Sequence, residues 1–331
     1  MFRFAAMLFA VLSSLMMLTG YAIAQSGPGP AGYPNKLVRI IVPYGPGGAA
    51  DLLARIVGER LSTFWGQSVI VENRAGATGN IGIEAVVRAA PDGYTLAVVP
   101  VSNLAVNPHL YSKLSYDVFR NLSPISLIAQ VQNVLVVKPS AKIDNVRDLV
   151  QAAKAKPGAL TYSSPGVGSQ AHVAGEMLNS LMNIDTVHVA YGGVGAAIKD
   201  VMGGQVTMMF AQMPAALPLV TAGKLKALGV ASNRRSPFMP SVPTIQEETG
   251  IAGLEAVSWS ALMAPAKTPD ELRSFIASEV ARALKLPEVE ARLRAQGTEP
   301  IGSTPSELAG IMKAEYLRYG EVIRKARISA D

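Results

Sequence analysis

Cysteine is absent from all 331 residues, histidine occurs three times and tryptophan twice. Without a thiol the chain can form no disulfide and no cysteine nucleophile. It also has no Cys-based metal site and no cysteine at which an N-terminus could be lipid-anchored. The histidines, His109, His172 and His188, form no H-E-x-x-H pair, and their spacing is not that of a metal site. No metal, no cofactor and no catalytic residue is therefore expected. His172 and His188 read as structural residues, although His172 could approach a ligand. Trp65 reads as packing, and Trp259 is balanced between packing and lining a cleft. Charged residues make up only 16% of the chain, yet a net charge of +6 and 49% apolar residues do not describe a disordered chain. Lysine and arginine are scattered, as in Arg234-Arg235 and Arg324-Lys325, with no interleaved aromatics. That pattern is a solvated surface rather than a nucleic-acid footprint. The positive excess favours the approach of acidic solutes.

Long apolar runs are lacking too, apart from one at the N-terminus. Met1-Phe2-Arg3-Phe4 is a short cationic start, Ala5 to Thr19 is apolar, and Ala22-Ile23-Ala24 is a small-x-small cleavage signature. This predicts an export signal over residues 1–24, with cleavage after Ala24 and a periplasmic destination. A membrane anchor fits less well, because the run is short and Gly20 interrupts it. An exported chain without disulfides needs a large core, and the apolar content supplies one. Residues 25–32 are rich in Gly and Pro and read as a flexible leader.

Beyond the leader, apolar strand-like runs alternate with helical periods. Strands are expected at Leu37–Pro43, Ser68–Glu72, Thr95–Val99, Ile125–Ala129, Val134–Lys138, Leu160–Ser163, Thr186–Val189, Met208–Phe210, Ala227–Ala231 and Ala261–Ala264. Helices are expected at Asp51–Phe64, Gly79–Ala89, Val146–Lys154, Ser169–Met182, Gly195–Met202 and Pro214–Ala222. Such alternation means parallel sheets covered on both faces. The C-terminal part is helical, with capping boxes expected at Thr268-Pro269-Asp270-Glu271 and Thr304-Pro305-Ser306-Glu307.

Three segments share one grammar of strand, glycine turn and helix. They are Leu37 to Asp51 with the turn Tyr44-Gly45-Pro46-Gly47-Gly48, Leu160 to Gln170 with Ser164-Pro165-Gly166-Val167-Gly168, and Val187 to Ala197 with Tyr191-Gly192-Gly193. A helix start exposes N–H groups without helical partners and carries the positive end of the helix dipole, so it suits an anion. None of the three turns holds Lys or Arg, which suits a carboxylate better than a triphosphate. None completes G-x-G-x-x-G, and no Gly-Lys-Ser/Thr follows. Turns after strand ends converge on one cleft in open sheets. Two facing sheets would make a clamp. Asp51 reads as a helix cap, with a possible part in shaping the turn, and not as a general base. Ser169 reads as an N-cap. There is no G-x-S-x-G elbow, and no histidine and carboxylate can be assigned to Ser163, Ser164 or Ser169.

Taken together these segments resemble the Bug-type periplasmic solute receptors of tripartite tricarboxylate transporters. The resemblance rests on Tyr33-Pro34, Val42-Pro43-Tyr44-Gly45-Pro46-Gly47-Gly48 ending at Asp51, Val71-Glu72-Asn73-Arg74-Ala75-Gly76-Ala77 and Gly79-Asn80-Ile81-Gly82. It continues in Ala90-Pro91-Asp92-Gly93-Tyr94-Thr95-Leu96, Asn107-Pro108, Lys156-Pro157-Gly158, His188-Val189-Ala190-Tyr191, Gly203-Gly204-Gln205-Val206 and Ser241-Val242-Pro243-Thr244. It covers nearly the whole mature chain. It implies an α/β, two-lobed, type II periplasmic-binding-protein-like fold, with two parallel or mixed sheets flanked by helices and a ligand cleft between the lobes. The lobes would be residues 33–130 and 131–234, with 235–331 returning to the first. The ligand would be a small di- or tricarboxylate or aromatic carboxylate, delivered by a monomer to a membrane permease. One end would meet Tyr44, Gly45, Pro46, Gly47, Gly48 and Ala49. A carboxylate would sit on Ser164, Gly166, Val167, Gly168, Ser169 and Gln170. Ser102, Asn103, Tyr191, Gly192 and Gln212 would line the rest. Relatives often carry a bulkier residue at position 45 and an acid at position 212. Gly45 therefore implies room for a larger or aromatic acid, and Gln212 argues against an amino-acid ligand. The competing readings are an exported serine hydrolase using Ser169 or Ser164 and a ligand sensor for a membrane kinase.

Overall fold

The computed structural model describes residues 29–326 and residue 328. The expected signal and its cleavage point after Ala24 lie outside the described residues. The first sheet receives β1 (Val38–Val42), β2 (Val69–Asn73), β3 (Thr95–Pro100) and β4 (Leu122–Val131). The chain then builds a second sheet from β5 (Asn133–Val137), β6 (Thr161–Ser164), β7 (Val187–Ala190), β8 (Met208–Gln212) and β9 (Lys226–Val230). It returns to the first sheet with β10 (Ser258–Pro265) and β11 (Glu299–Pro300). The strand orders are β11-β4-β10-β3-β1-β2 and β7-β6-β8-β5-β9. Around β1 and β6 the pairing is parallel. The strands at which the chain changes sheet run the other way: β10 is antiparallel to β3 and β4, and β5 to β8 and β9. Both sheets are therefore mixed. Strands such as β5 and β10 are buried at every position, because helices cover both faces.

The helices are α1 (Ala49–Trp65), α2 (Asn80–Val87), α3 (Asn107–Leu110, entered from a π-turn over Ser102–Val106), α4 (Val146–Ala155), α5 (Gln170–Met182) and α6 (Val194–Gly203). They continue with α7 (Met213–Thr221), α8 (Ile245–Thr249), α9 (Asp270–Leu284), α10 (Pro287–Arg294) and α11 (Pro305–Ala326). Gly82 in α2 lets that helix lie directly against the exit of β1. A Cβ there would come within 2.7 Å of both the Pro43 Cα and the Arg74 carbonyl. This close approach fixes where the first glycine turn begins.

One capping expectation holds and one does not. At α11 the Thr304 hydroxyl accepts the Glu307 N–H (3.3 Å) and the Glu307 carboxylate accepts the Thr304 N–H (2.8 Å). At α9 the N-cap is Pro269 and no side chain caps the helix. Thr268 lies buried just after β10, where its hydroxyl donates to the Pro265 carbonyl at 2.8 Å. A nearer backbone acceptor has taken the side chain.

The sheets are joined tightly. Only Gln132 separates β4 from β5, and its amide donates to the Ser232 hydroxyl (2.8 Å) on the segment leaving β9. Residue 235 is not where the chain returns. Val230 and Thr244 form a parallel bridge and α8 packs against β9, so residues up to the 250s stay with the second sheet. The crossing is completed at β10. One apolar cluster runs from Ile41 and Val99 through Trp259 and Tyr319 to Leu135 and Phe210, so it spans both sheets. Helix α11 carries it across: Leu308, Met312, Tyr319 and Ile323 are buried, and the Tyr319 hydroxyl donates to Gln170 Oε1 at 2.9 Å. Each such burial contributes about 1.5–3 kcal/mol.

Candidate functional site

A cleft of about 880 Å³ lies between the two sheets. It is lined by parts of all three glycine turns: Tyr44, Gly45, Pro46, Gly48 and Ala49; Pro165 to Ala171; and Gly192 to Val194. These turns follow β1, β6 and β7 and open α1, α5 and α6, so three helix N-termini face one space. Among the described residues no Lys, Arg or His lines the cleft, and Asp51 is the one carboxylate that does. The walls between the turns are largely apolar, with Val101, Val131, Met209, Phe210, Tyr111 and Trp259.

The first turn is fastened by a charged network. The Asp51 carboxylate accepts the Gly47 N–H (3.0 Å), both Arg55 donors (2.9 and 3.0 Å) and the Asn73 amide (2.9 Å). Asn73 also donates to the Tyr44 carbonyl at 3.0 Å. The Arg55 bonds, with those from Gly47 and Asn73, outweigh burial and hold the Asp51 carboxyl down to about 2. The helix N-cap is Gly48, not Asp51, so the carboxylate shapes the turn rather than capping the helix. The Tyr44 hydroxyl donates to Asn103 Oδ1 at 2.7 Å, with Ser102 Oγ 3.4 Å away. Burial pushes its pKa up and keeps it a donor.

The second turn is fastened by neutral groups. Ser169 caps α5, its hydroxyl accepting the His172 N–H at 3.3 Å. Gly168 donates its N–H to His172 Nδ1 (3.1 Å) and Gly166 donates to Ser164 Oγ (3.2 Å). Two amides expected to hold an anion are thus already occupied. Among the described residues no backbone acceptor meets the Val167, Gln170 and Ala171 amides, which with the Ser169 hydroxyl proton are left to meet an anion. Glycine is favoured at 168: its φ is +76°, and a Cβ would lie 2.3 Å from Leu110 Cδ1, whose side chain would have to shift.

The family described as "Tripartite tricarboxylate transporter family receptor" matches residues 53–328. The chain belongs to this receptor family. It is 35% identical over 319 residues to BugT of Bordetella pertussis, covering 95% of this chain and 98% of that one. Among solved structures it resembles R. palustris Rpa4515 with adipate, at a TM-score of 0.81 and 33% identity over 90% of this chain and 99% of that one. It also resembles MatC of Rhodopseudomonas palustris with bound malate, at a TM-score of 0.77 and 29% identity over 88% of this chain and 100% of that one.

For a receptor of this family, four of the expected residues stand apart from the cleft. Gly47 spends its N–H on Asp51. Asn103 is fully buried behind Tyr44. Ser164 is fully buried beneath its turn. Tyr191 turns its hydroxyl onto Asp200 at 2.7 Å, although the adjacent Gly192 does reach the cleft. In each case a local partner captures the side chain or amide. Gln212 lines the floor and donates to Ser258 Oγ across the cleft at 3.0 Å. Trp259 lines the wall, its Nε1 pointing at Glu315 from 3.4 Å. Trp65 stacks with Phe275 and meets Tyr33 edge to face, as packing.

Sequence reasoning passed over Asn107, Tyr111, Asn133, Phe210 and Ser258. Asn133 offered a signal, a polar residue at the start of an otherwise apolar strand; the others offered none. It also found no histidine for the serines. In the structure His188 Nε2 lies 2.7 Å from Ser164 Oγ. That serine is sealed from the cleft, and the only shift on His188 is a lowering by burial. Among the described residues no His, Asp and Glu cluster could hold a metal, and no helix is long and apolar enough to cross a membrane.

Proposed function

We propose that the protein is a periplasmic receptor that holds a small carboxylate-bearing solute between its two lobes and delivers it to a tripartite tricarboxylate-type permease. It works as a monomer, without a catalytic step, after cleavage behind Ala24. The first lobe comprises residues 33–131 with 258–326, and the second comprises 133–257. The observation that carries the reading is the cleft chemistry. Three helix starts converge on a space that no cationic side chain among the described residues lines, and the one carboxylate among them that does is already paired with Arg55. An anion there is held by N–H and O–H donors, which match a carboxylate. The acids in Rpa4515 and MatC agree with this, and are of that kind.

The apolar walls favour an acid with an apolar body. Gly45 adds room beside it, since a Cβ at that position would meet nothing within 4 Å. Gln212 supplies no charge for an ammonium group. Calorimetric titration of the mature protein with glutamate, citrate, adipate and terephthalate tests the reading. Saturable binding of adipate or terephthalate is expected. Tight binding of glutamate alone, or of none of the four, counts against it. Turnover of a p-nitrophenyl ester by the purified protein would remove the non-catalytic part.

A further inference from the structure

On the side of the second turn away from the cleft, the rings of His172 and His188 lie 3.9 Å apart and 12° from parallel. Tyr162 stacks on His188 at 4.9 Å. Neither histidine lines the cleft, yet each holds a different end of the turn. His172 Nδ1 accepts the Gly168 N–H at 3.1 Å. His188 Nε2 lies 2.7 Å from Ser164 Oγ, which accepts the Gly166 N–H at 3.2 Å and donates to the Gly166 carbonyl at 2.9 Å. The glycines on either side of Val167 are thus tied to two stacked imidazoles. An Nδ1 that accepts a hydrogen bond is unprotonated, so His172 carries its single proton on Nε2.

We propose that His172 and His188 are positioning residues that hold the turn over residues 164–170 in its anion-binding shape, and that they do so only as a neutral pair. A proton on His172 Nδ1 would place a donor against the Gly168 N–H donor and release the turn. The proposal rests on the reading that this turn receives the ligand carboxylate.

The ionisable surroundings do not rescue a charged pair. His188 faces His172 from β7. Tyr162 faces both from β6, its hydroxyl given to Glu176 of α5. From α11, Tyr319 reaches the same helix at Gln170, with Arg318 over its ring and Glu315 paired to Arg318. Of these groups, only His188 acts on the charge of His172, and it opposes a second positive charge. Burial is the larger cause, and together they hold His172 down to about 4. Burial also lowers His188. His172 therefore stays neutral well below the ordinary histidine range, and His188 is shifted in the same direction.

The test needs no ligand. On the full mature protein, nitrogen-15 shifts of the histidine rings report the tautomer, and amide exchange at Gly168 reports the turn, from about pH 8 to about pH 3. The expected result at neutral pH is His172 in the Nε2–H form with a protected Gly168 amide. As His172 titrates, protection at Gly166 and Gly168 falls on the order of tenfold or more while β6 and β8 stay protected. His172→Asn, whose Oδ1 can accept in the place of Nδ1 and does not titrate, keeps the amide protected at low pH. His172→Phe, which keeps the stack but not the acceptor, loses that protection at every pH. An Nδ1–H tautomer at neutral pH overturns the proposal. So does protection that survives titration of His172, or that is lost together with β6 and β8. Failure of every carboxylate to bind, with the exchange profile as expected, would instead remove the ligand reading and leave the positioning role intact.

Discussion

The first and second glycine turns are written in the same grammar and held by opposite chemistry. Tyr44 to Gly48 is pinned by an ionised carboxylate shared among Gly47, Arg55 and Asn73. Ser164 to Ser169 is pinned by two neutral imidazoles and a serine. The difference follows from what each turn must leave open. A carboxylate behind the second turn would repel a ligand carboxylate placed on it, whereas neutral acceptors fix the glycines without adding negative charge. Asp51 is tolerable on the first turn because Arg55 lies bidentate against it.

The comparison can be broken most sharply at the glycines. Gly168→Val would combine a φ of +76° with a collision against Leu110. It should cost about 2 kcal/mol or more of stability and abolish carboxylate binding. At Gly45 a Cβ meets nothing within 4 Å and the backbone takes no left-handed φ, so Gly45→Val is unstrained at that atom. It should leave unfolding within about 0.5 kcal/mol of the parent and shift preference toward smaller acids. Thermal unfolding with the four-acid titration measures both. Equal losses in the two variants would erase the distinction between the turns.

Asp51→Ala comes next. Removing the carboxylate leaves the Gly47 N–H without its acceptor and the Asn73 amide with only the Tyr44 carbonyl, a loss of about 1–3 kcal/mol. The two turns should also loosen in different pH windows. Asp51 is depressed from 3.8 to about 2, so its contribution is complete above pH 3.8 and is lost as pH falls from there toward 2. His172 is depressed from 6.5 to about 4, so the unfolded chain binds its proton first and stability falls as pH drops from 6.5 toward 4. Amide exchange followed by mass spectrometry on peptides covering each turn separates the two windows. Both turns loosening over a single pH range would contradict the assignment.

The smallest effect is expected from Ser169→Ala. Loss of the N-cap should cost about 1 kcal/mol of stability. Loss of the hydroxyl should weaken carboxylate binding by roughly five- to tenfold, measured by titration. Unchanged affinity would move the anion off Ser169 and onto the amides alone.

The positions of the three turns were legible because strand, glycine and helix start are local properties. Continuous apolar runs such as Val134–Val137 announce a strand buried on both faces, and Ser169 announces a cap, whatever the rest of the chain does. The directions of individual side chains were less legible. Tyr191 sits beside the cleft-lining Gly192, but its hydroxyl goes to Asp200. Thr268 carries the full signature of a capping box and bonds a strand-end carbonyl instead. Local alternatives that compete within a few residues are decided by small differences in geometry that periodicity does not encode.

What the sequence determined by itself was the alternation of buried strands and helices, the three basic-free glycine turns at strand ends, and the absence of thiol, metal and nucleotide-binding motifs. These depend on residue type and near neighbours. Only the tertiary structure decided that Tyr111, Asn133, Phe210 and Ser258 share one cleft, because sheet order and the Gln132 crossing bring them together from distant parts of the chain. It alone decided that His172 and His188 form one stack. They lie on a helix and on a strand: the parallel β6–β7 register sets His188 beside Tyr162, and the helix that follows β6 brings the His172 ring onto the His188 ring.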